Sequence, residues 1–449
     1  MDANDLTQGS AAGTLFRFAG PFFIANVLQS LYGAADLFVV GAFCGAQSVA
    51  AVSTGTQVTQ IVTSLVTGLT LGSTVIIGQY TGQREYGKVK RAIGTTLTVF
   101  AGVALALTAG MLAVLRPLLR LLQTPQPSFE LTVQYVTICM LGNIFICGYN
   151  AISAVLRGWG DSRRPMWFVG VACAINIVLD VVFVRFFVLD AAGTALATVI
   201  SQGISMALAV VYLRRHDFLF DFRLPSFLPD RRMIKKLAVV GVPISFQELM
   251  VRISFLYLAA VMNGCGVYAA AVVGISSKYD VFAMLSATSM ASALAAITAQ
   301  NIGAGRPQRA RRSLWYGMGF ALAASAVFWL WAQLSPQSMI GLFSRDADVI
   351  AAGVPFFRAC SYDYMLVSVV FCLNGYLNGR QKTVWTMISC SVGALCLRMP
   401  LVYLFSTRFA DDPGMLGLIA PVVSGIMACY TLAYVLAEGR KGRARSAAC

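Results

Sequence analysis

Apolar residues in this chain fall into twelve blocks separated by short polar stretches. The blocks lie at about 14–40, 48–78, 92–114, 131–155, 165–188, 193–213, 237–262, 269–297, 313–334, 350–374, 384–406 and 416–437. An α-helix needs roughly 20 apolar residues to cross the hydrocarbon core of a bilayer. The pattern therefore predicts an all-α integral membrane protein with twelve transmembrane helices. The first two blocks exceed one bilayer thickness, so their helices must tilt, kink or project. Pro21, Pro243 and Pro400 stand inside spans, where each removes a backbone hydrogen bond and bends its helix.

The longest polar interruption, 214–236, carries two Pro and seven basic residues and lies at the middle of the chain. It divides the chain into spans one to six (1–213), a cytoplasmic linker (214–236), spans seven to twelve (237–437) and a basic tail (438–449). The halves echo one another. Gln79-Tyr-Thr-Gly82 after span two is matched by Gln300-Asn-Ile-Gly303 after span eight, 221 positions on. At the same offset Lys88, Lys90 and Arg91 meet Arg309, Arg311 and Arg312. Pro21 meets Pro243, and Gly160 meets Gly379, at nearly that offset. Six spans per half in one orientation make two pseudo-symmetric six-helix bundles, a parallel repeat about the membrane normal. Secondary transporters are built from such repeats, with the pathway between the halves. One chain can then form a complete pathway, so function as a monomer is expected.

Composition agrees. Of 449 residues, 58% are hydrophobic and only 12% charged, against about 25% charged in a soluble domain. A soluble enzyme, a disordered chain and a nucleic-acid binder are excluded. No Gly-x-x-x-x-Gly-Lys-Ser/Thr loop is present, so the chain has no ATPase motor of its own. The start, Met1-Asp-Ala-Asn-Asp, lacks the basic region of a signal peptide, and the first apolar block is too long for one. One His, His216, and eleven Cys without a Cys-x-x-Cys give a metal site no support. Cys139, Cys147, Cys173, Cys372, Cys390, Cys396 and Cys429 lie in apolar runs and read as small fillers between helices rather than disulfides. No cofactor is expected. The net charge of +15 is a matter of sidedness. With the N-terminus inside, 24 of the 34 Lys and Arg fall in inward loops and the tail, and 6 outside. That bias puts both termini in the cytoplasm of an inner or plasma membrane.

Charges inside the apolar blocks need a reason, because an ionisable group is costly in hydrocarbon. Asp36 lies deep in span one. Asn176 and Asp180 are four apart, hence on one face of span five. Two carboxyls and an amide that converge can hold a proton, or a Na⁺ given four to six oxygens; Thr198 in span six could add a hydroxyl or carbonyl. The alternative is that Asp36 and Asp180 cap helix ends at the outer interface, with Arg185 pairing with Asp180. In the second half, Glu248 and Arg252 are four apart and form an obvious ion pair. Lys278 and Asp280 lie in span eight and Asp363 in span ten, with Glu248–Lys278 a second pairing. These charges read as a salt-bridge network, or else give Glu248 or Asp363 a cation or substrate role. Arg398 reads as the partner of an interior carboxylate or backbone carbonyls rather than of an anionic substrate. Phe22, Phe23, Tyr32, Tyr149, Met250, Phe255, Tyr257 and Met284 are adaptable side chains suited to a promiscuous cavity; lipid contact or packing is the alternative for each.

Several stretches resemble the multidrug and toxic compound extrusion (MATE) transporters. They are Ala35-Asp36-Leu-Phe-Val-Val-Gly41, Ser48-Val-Ala-Ala-Val-Ser53, Gly78-Gln-Tyr-Thr-Gly82 and Arg157-Gly-Trp-Gly-Asp161-Ser-Arg-Arg-Pro165. Asn176-Ile-Val-Leu-Asp180 and Ala192-Gly193-Thr-Ala-Leu-Ala-Thr198 follow, and the second half adds Ala299-Gln-Asn-Ile-Gly-Ala-Gly305 and Asn374-Gly-Tyr-Leu-Asn-Gly379. Their order and spacing cover essentially the whole chain. The resemblance implies an efflux pump for amphipathic, often cationic, organic compounds, driven by antiport with H⁺ or Na⁺ and alternating between inward- and outward-open states of its two bundles. It implies that Asp36, Asn176, Asp180 and Thr198 form the cation-coupling site, with Na⁺ at Asp36, Asn176 and Asp180 where Na⁺ is the ion. Some members use a glutamate in span seven and an aspartate in span ten, though Glu248 lies only five residues after Pro243, closer than that pattern. A lipid-linked precursor flippase of the same superfamily is the alternative, and a passive channel a third class.

Overall fold

A backbone in hydrocarbon must satisfy its own hydrogen bonds, and this chain does so with helices. The computed structural model describes residues 5–215, 218–264, 267–409 and 412–447, with no strand among them. Met1–Asn4, His216 and the side chains of the tail beyond Glu438 lie outside the described residues. Among the described residues, eleven helices are long and apolar enough to cross a membrane. They are α1 (Ala11–Phe43), α2 (Ala46–Gly82), α3 (Tyr86–Leu121), α5 (Arg163–Phe186), α6 (Asp190–Arg215), α7 (Arg231–Met262), α8 (Tyr268–Gly303), α9 (Pro307–Leu334), α10 (Ala347–Gly379), α11 (Thr383–Arg408) and α12 (Pro413–Glu438). The twelfth span, α4, is a pair, Gln126–Leu141 and Asn143–Trp159, bent by 45° at Gly142.

By contact the chain divides into two compact units. One comprises Met1–Thr7, Gly20–Ser245 and Ala299–Gly305, the other Gln8–Ala19, Phe246–Thr298 and Arg306–Cys449. In the first unit α2 packs against both segments of α4, and α6 against α4 and α5. Val52, Val58, Val62, Tyr135, Val136, Met140 and Ala195 make the core there. The most apolar stretch of α2 is 67% buried inside the protein, while that of α3, although more hydrophobic, is 17% buried. Hydrophobicity alone therefore does not tell an inner helix from a lipid-facing one. In the second unit α9 packs on α10, and α10 on α12. Met262, Val272, Tyr279, Met339, Phe357 and Tyr364 form its core.

Backbones approach where glycine leaves room. In the first unit Gly72 of α2 meets Gly241 of α7, and a Cβ there would lie 2.6 Å from the Gly241 Cα; Gly68 meets the Ser245 backbone in the same way. This is a small-xxx-small crossing, the pattern that lets membrane helices touch closely. Each unit repeats one further contact. A Cβ on Gly158 of α4 would lie 2.8 Å from Ile77 Cβ, and one on Gly379 of α10 would lie 2.6 Å from Thr298 Cβ. Both residues of the second contact stand 221 positions after those of the first. The fourth span of each half is also interrupted, α4 at Gly142 and α10 at Ser361.

The repeat motifs themselves meet inside the first unit. A Cβ on Gly82 would strike the carbonyl of Gln300, and one on Gly303 would strike that of Gln79. Gln300 Nε2 donates to the Gly158 carbonyl at 2.9 Å, while its Oε1 accepts from the Leu6 amide at 3.2 Å.

The linker is more structured than its polar composition suggests. Phe220 packs edge-on against Phe222 and Phe227 at 5.1 and 5.2 Å. Thr98 Oγ1 of α3 donates to the Phe227 carbonyl at 2.6 Å, and the Asp230 amide donates to Thr95 Oγ1 at 3.2 Å. The Ser226 hydroxyl donates to Asp221 and holds its carboxyl below the usual carboxylate range. The prolines act differently from one another. Pro21 and Pro243 lie within continuous helices, whereas Pro400 follows a π-helical turn, Val392–Arg398. A second π turn, Val182–Phe186, ends α5.

The Gly72 crossing gives a stability prediction. Gly72→Ala should destabilise the protein by about 1–3 kcal/mol through overpacking. Gly102→Ala, which meets nothing within 4 Å, should not destabilise it. Thermal denaturation of the purified variants in detergent decides, and equal midpoints for the two would refute the crossing as a tight one.

Candidate functional site

Helical spacing prepares the site in the first unit. Tyr32 and Asp36 share one face of α1, Asn176 and Asp180 one face of α5, and Thr198 and Ser201 one face of α6. The fold brings these faces together. The Asp36 carboxyl interacts with Asp180, Asn176 and Thr198, and the Tyr32 hydroxyl reaches Thr198 and Ser201. Cys139 of α4 lies beside Asp36. One turn before it, the Tyr135 hydroxyl pairs with Thr56 Oγ1 of α2 at 3.3 Å, in a space that exists because residue 55 is glycine.

Asn176 and Asp180 have no exposed surface and Asp36 keeps 5%. Asp180 is therefore not a solvated helix end. Arg185 does not pair with it: its guanidinium lies over the Phe43 ring at 5.4 Å, beyond the start of the π turn. Asp36 Oδ1, both Asp180 oxygens, both polar atoms of the Asn176 amide, and the Thr198 and Tyr32 hydroxyls are buried without a well-formed hydrogen bond. Buried polar atoms are ordinarily satisfied, so so many orphans in one place mark a site. The donors are all hard oxygens apart from the amide nitrogen, and no basic side chain acts on either carboxyl among the described residues. Such a set can share a proton or enclose a small hard cation. Tyr32, Ser201, Thr56 and Tyr135 complete it, and the spacing of Tyr32 before Asp36 and of Ser201 after Thr198 is the signal that finds two of them.

The second unit arranges its charges otherwise. Glu248 has Arg252 as its charged neighbour. Lys278 is exposed and is not among the charges acting on Glu248. Asp363, 5% exposed, starts the second segment of α10 and interacts with the Ser424 hydroxyl. Asp280 interacts with the hydroxyls of Tyr364 and Ser276. Both aspartates act on Arg398 of α11. Arg398 donates to Ser254 Oγ at 3.2 Å and lies over the Phe255 ring at 4.3 Å. Of the aromatic residues singled out above, Phe22 is buried under the Arg157 guanidinium at 4.5 Å, and Tyr149 donates to the Pro165 carbonyl at 2.9 Å. Phe23 is 42% exposed.

A shared site has a thermodynamic mark. Asp36→Asn and Asp180→Asn should not add: the double variant's stability should differ from the sum by about 0.5–3 kcal/mol, as for residues in contact. Strict additivity in thermal denaturation would show that the two carboxyls do not belong to one site.

Known proteins resemble this chain over its length. The family model described as MatE matches residues 21–182 and again residues 243–404. A probable multidrug resistance protein of Bacillus subtilis (strain 168), YpnP, is 27% identical over 90% of this chain and 91% of its own length. An FAD transporter of Shewanella oneidensis is 24% identical over 97% of both. The multidrug export protein MepA of Staphylococcus aureus (strain MSSA476) is 21% identical over 94% of this chain and 92% of its own. Among solved structures, the outward-facing conformation of a multidrug resistance MATE family transporter of the MOP superfamily superimposes with a TM-score of 0.91. It is 21% identical and covers 100% of this chain and 98% of that one. A MOP superfamily transporter from Pyrococcus furiosus, described as having a binding pocket of reverse polarity, gives 0.89 at 22% identity over 97% of this chain and 98% of that one.

Proposed function

The chain belongs to the MatE family of multidrug efflux transporters, and on that premise we propose that it is a secondary active exporter of amphipathic, often cationic, drugs or toxins, driven by antiport with H⁺ or Na⁺. Its family and fold are those of a transporter rather than an enzyme, and it is a multi-pass membrane protein from a family of plasma membrane transporters. In this reading the coupling ion binds at Asp36, Asn176, Asp180 and Thr198, and the substrate leaves as the ion enters. Both termini face the cytoplasm, as the distribution of Lys and Arg favours.

The observation that carries the reading is the first unit's pair of buried carboxyls without a basic partner among the described residues. A carboxylate in hydrocarbon is tolerated when something neutralises it. A proton or cation entering down its gradient can do so and depart on the other side. An ion site whose charge is balanced only when occupied has different free energies full and empty, and a transporter needs that difference to bias one conformation over another. Asn176, Thr198 and Tyr32 orient the oxygens without adding charge.

The test is substrate efflux from proteoliposomes under an imposed Na⁺ or pH gradient. Wild type should export with at least one of the two, and Asp36→Asn should lower the gradient-driven rate by about tenfold or more. Undiminished, gradient-coupled export by Asp36→Asn would reject the assignment. Export indifferent to both gradients in the wild type would reject antiport altogether.

A further inference from the structure

The two units treat buried acid differently. In the first, α5 brings Asp180 beside Asp36, and among the described residues no basic side chain acts on either. In the second, α11 brings Arg398, only three positions short of the 221-residue repeat offset from Asp180. Each residue adjoins a π turn, Val182–Phe186 after Asp180 and Val392–Arg398 ending at Arg398. Such turns shift the register of a helix and often sit at functional positions. At the 222-residue offset that relates residues 21–182 to 243–404, Arg398 falls opposite Asn176, one turn from Asp180, so the same helix face carries an acid in the first repeat and a guanidinium in the second.

Arg398 is 7% exposed and Asp363 5%. The guanidinium is held at Ser254 and over Phe255, and both Asp363 and Asp280 act on it. Asp363 Oδ1 and Arg398 Nε remain without a hydrogen-bond partner. Around the two carboxyls stand the hydroxyls of Ser276, Tyr364 and Ser424. Carboxylates and hydroxyls are the hard oxygen donors that hold alkali and alkaline-earth cations. Among the described residues, Glu248 and Arg252 face one another nearby, and Glu248 and Arg398 both act on Cys390, while Lys278, two residues before Asp280, is exposed. The second unit therefore has the oxygens of a cation site together with a positive charge fixed to the chain.

We propose that Arg398 is the resident counter-cation of the second unit: it takes the electrostatic place of Na⁺ at Asp280 and Asp363 and so excludes Na⁺ from that unit. This rests on the ion-coupled reading above, but binding rather than transport reads it out. A buried carboxylate, Asp363, and its part-buried neighbour Asp280 can take a cation from solution once the one cation acting on them among the described residues is gone. Removing the guanidinium then creates a Na⁺ site, and the coupling ion of the native chain is left to the first unit alone.

The experiment is equilibrium binding of ²²Na⁺ to purified full-length protein. In the otherwise native chain, Asp363→Asn should leave Na⁺ binding unchanged, because Arg398 already occupies the electrostatic position. Arg398→Met should bind about one more Na⁺ per chain than wild type, and Arg398→Met with Asp363→Asn should lose that gain. Arg398→Lys, which keeps the charge, should match wild type. A fall in Na⁺ binding on Asp363→Asn alone would overturn the proposal, and that variant does not depend on Arg398→Met folding. So would a folded Arg398→Met that binds no more Na⁺ than wild type. Loss of efflux in Asp36→Asn leaves each of these readings untouched, so the two ideas fail separately.

Discussion

Hydrocarbon neither donates nor accepts a hydrogen bond, and the structure follows from that. It forces the backbone into helices. It also removes the usual reason for helices to associate, since lipid tails are as apolar as leucine. What holds these helices together is close contact. Glycines at Gly68, Gly72, Gly158 and Gly379 let one backbone lie against another. Dispersion between well-fitted surfaces then does what the hydrophobic effect does in water. The same solvent makes every polar group inside the protein seek another, and Asp36, Asn176, Asp180 and Thr198 collect where three helices allow it.

Polar clustering without full satisfaction is what an ion carrier requires. A site whose hydrogen bonds were all made by protein would gain little from an arriving ion. One whose oxygens are buried and under-satisfied is destabilised when empty and stabilised when filled. The first unit has that character at Tyr32, Asp36, Asn176, Asp180 and Thr198. The second keeps a guanidinium among its acids. A duplicated scaffold has thus diverged in chemistry more than in packing: the Gly158 and Gly379 contacts match position for position, while the buried charges do not.

Most of the fold was readable along the chain because twelve apolar blocks map one to one onto twelve spans. The bend at Gly142 and the break at Ser361 were not, since an interruption of the helix inside an apolar run leaves the run unbroken. The π turns were equally silent, having no residue signature. Of the first-unit site, Asp36, Asn176 and Asp180 stood out because charge and amide are rare in such runs. Ser201 and Thr56 did not, because a Ser or Thr hydroxyl in a helix can bond its own backbone and is cheap there; Tyr135 is one tyrosine among many, and Tyr32 stood out as a cavity aromatic rather than for its hydroxyl. In the second half, Glu248 and Lys278 looked like partners by sequence depth, but Lys278 is exposed and Glu248 has Arg252 as its charged neighbour. Depth gives how far along the membrane a residue lies; only packing gives which way it faces.

The mutual contact of Gly82 with Gln300 and of Gly303 with Gln79 has an evolutionary consequence. Elsewhere the two halves can drift apart, because each copy of a duplicated residue sits among its own neighbours. At this point each copy is the other's neighbour. A side chain gained at either glycine collides with the opposite motif, so selection acts on both copies as a single contact. The descendants of the duplication are tied together where they touch, and there the ancestral signature stays readable: Gln-Tyr-Thr-Gly in one half, Gln-Asn-Ile-Gly in the other.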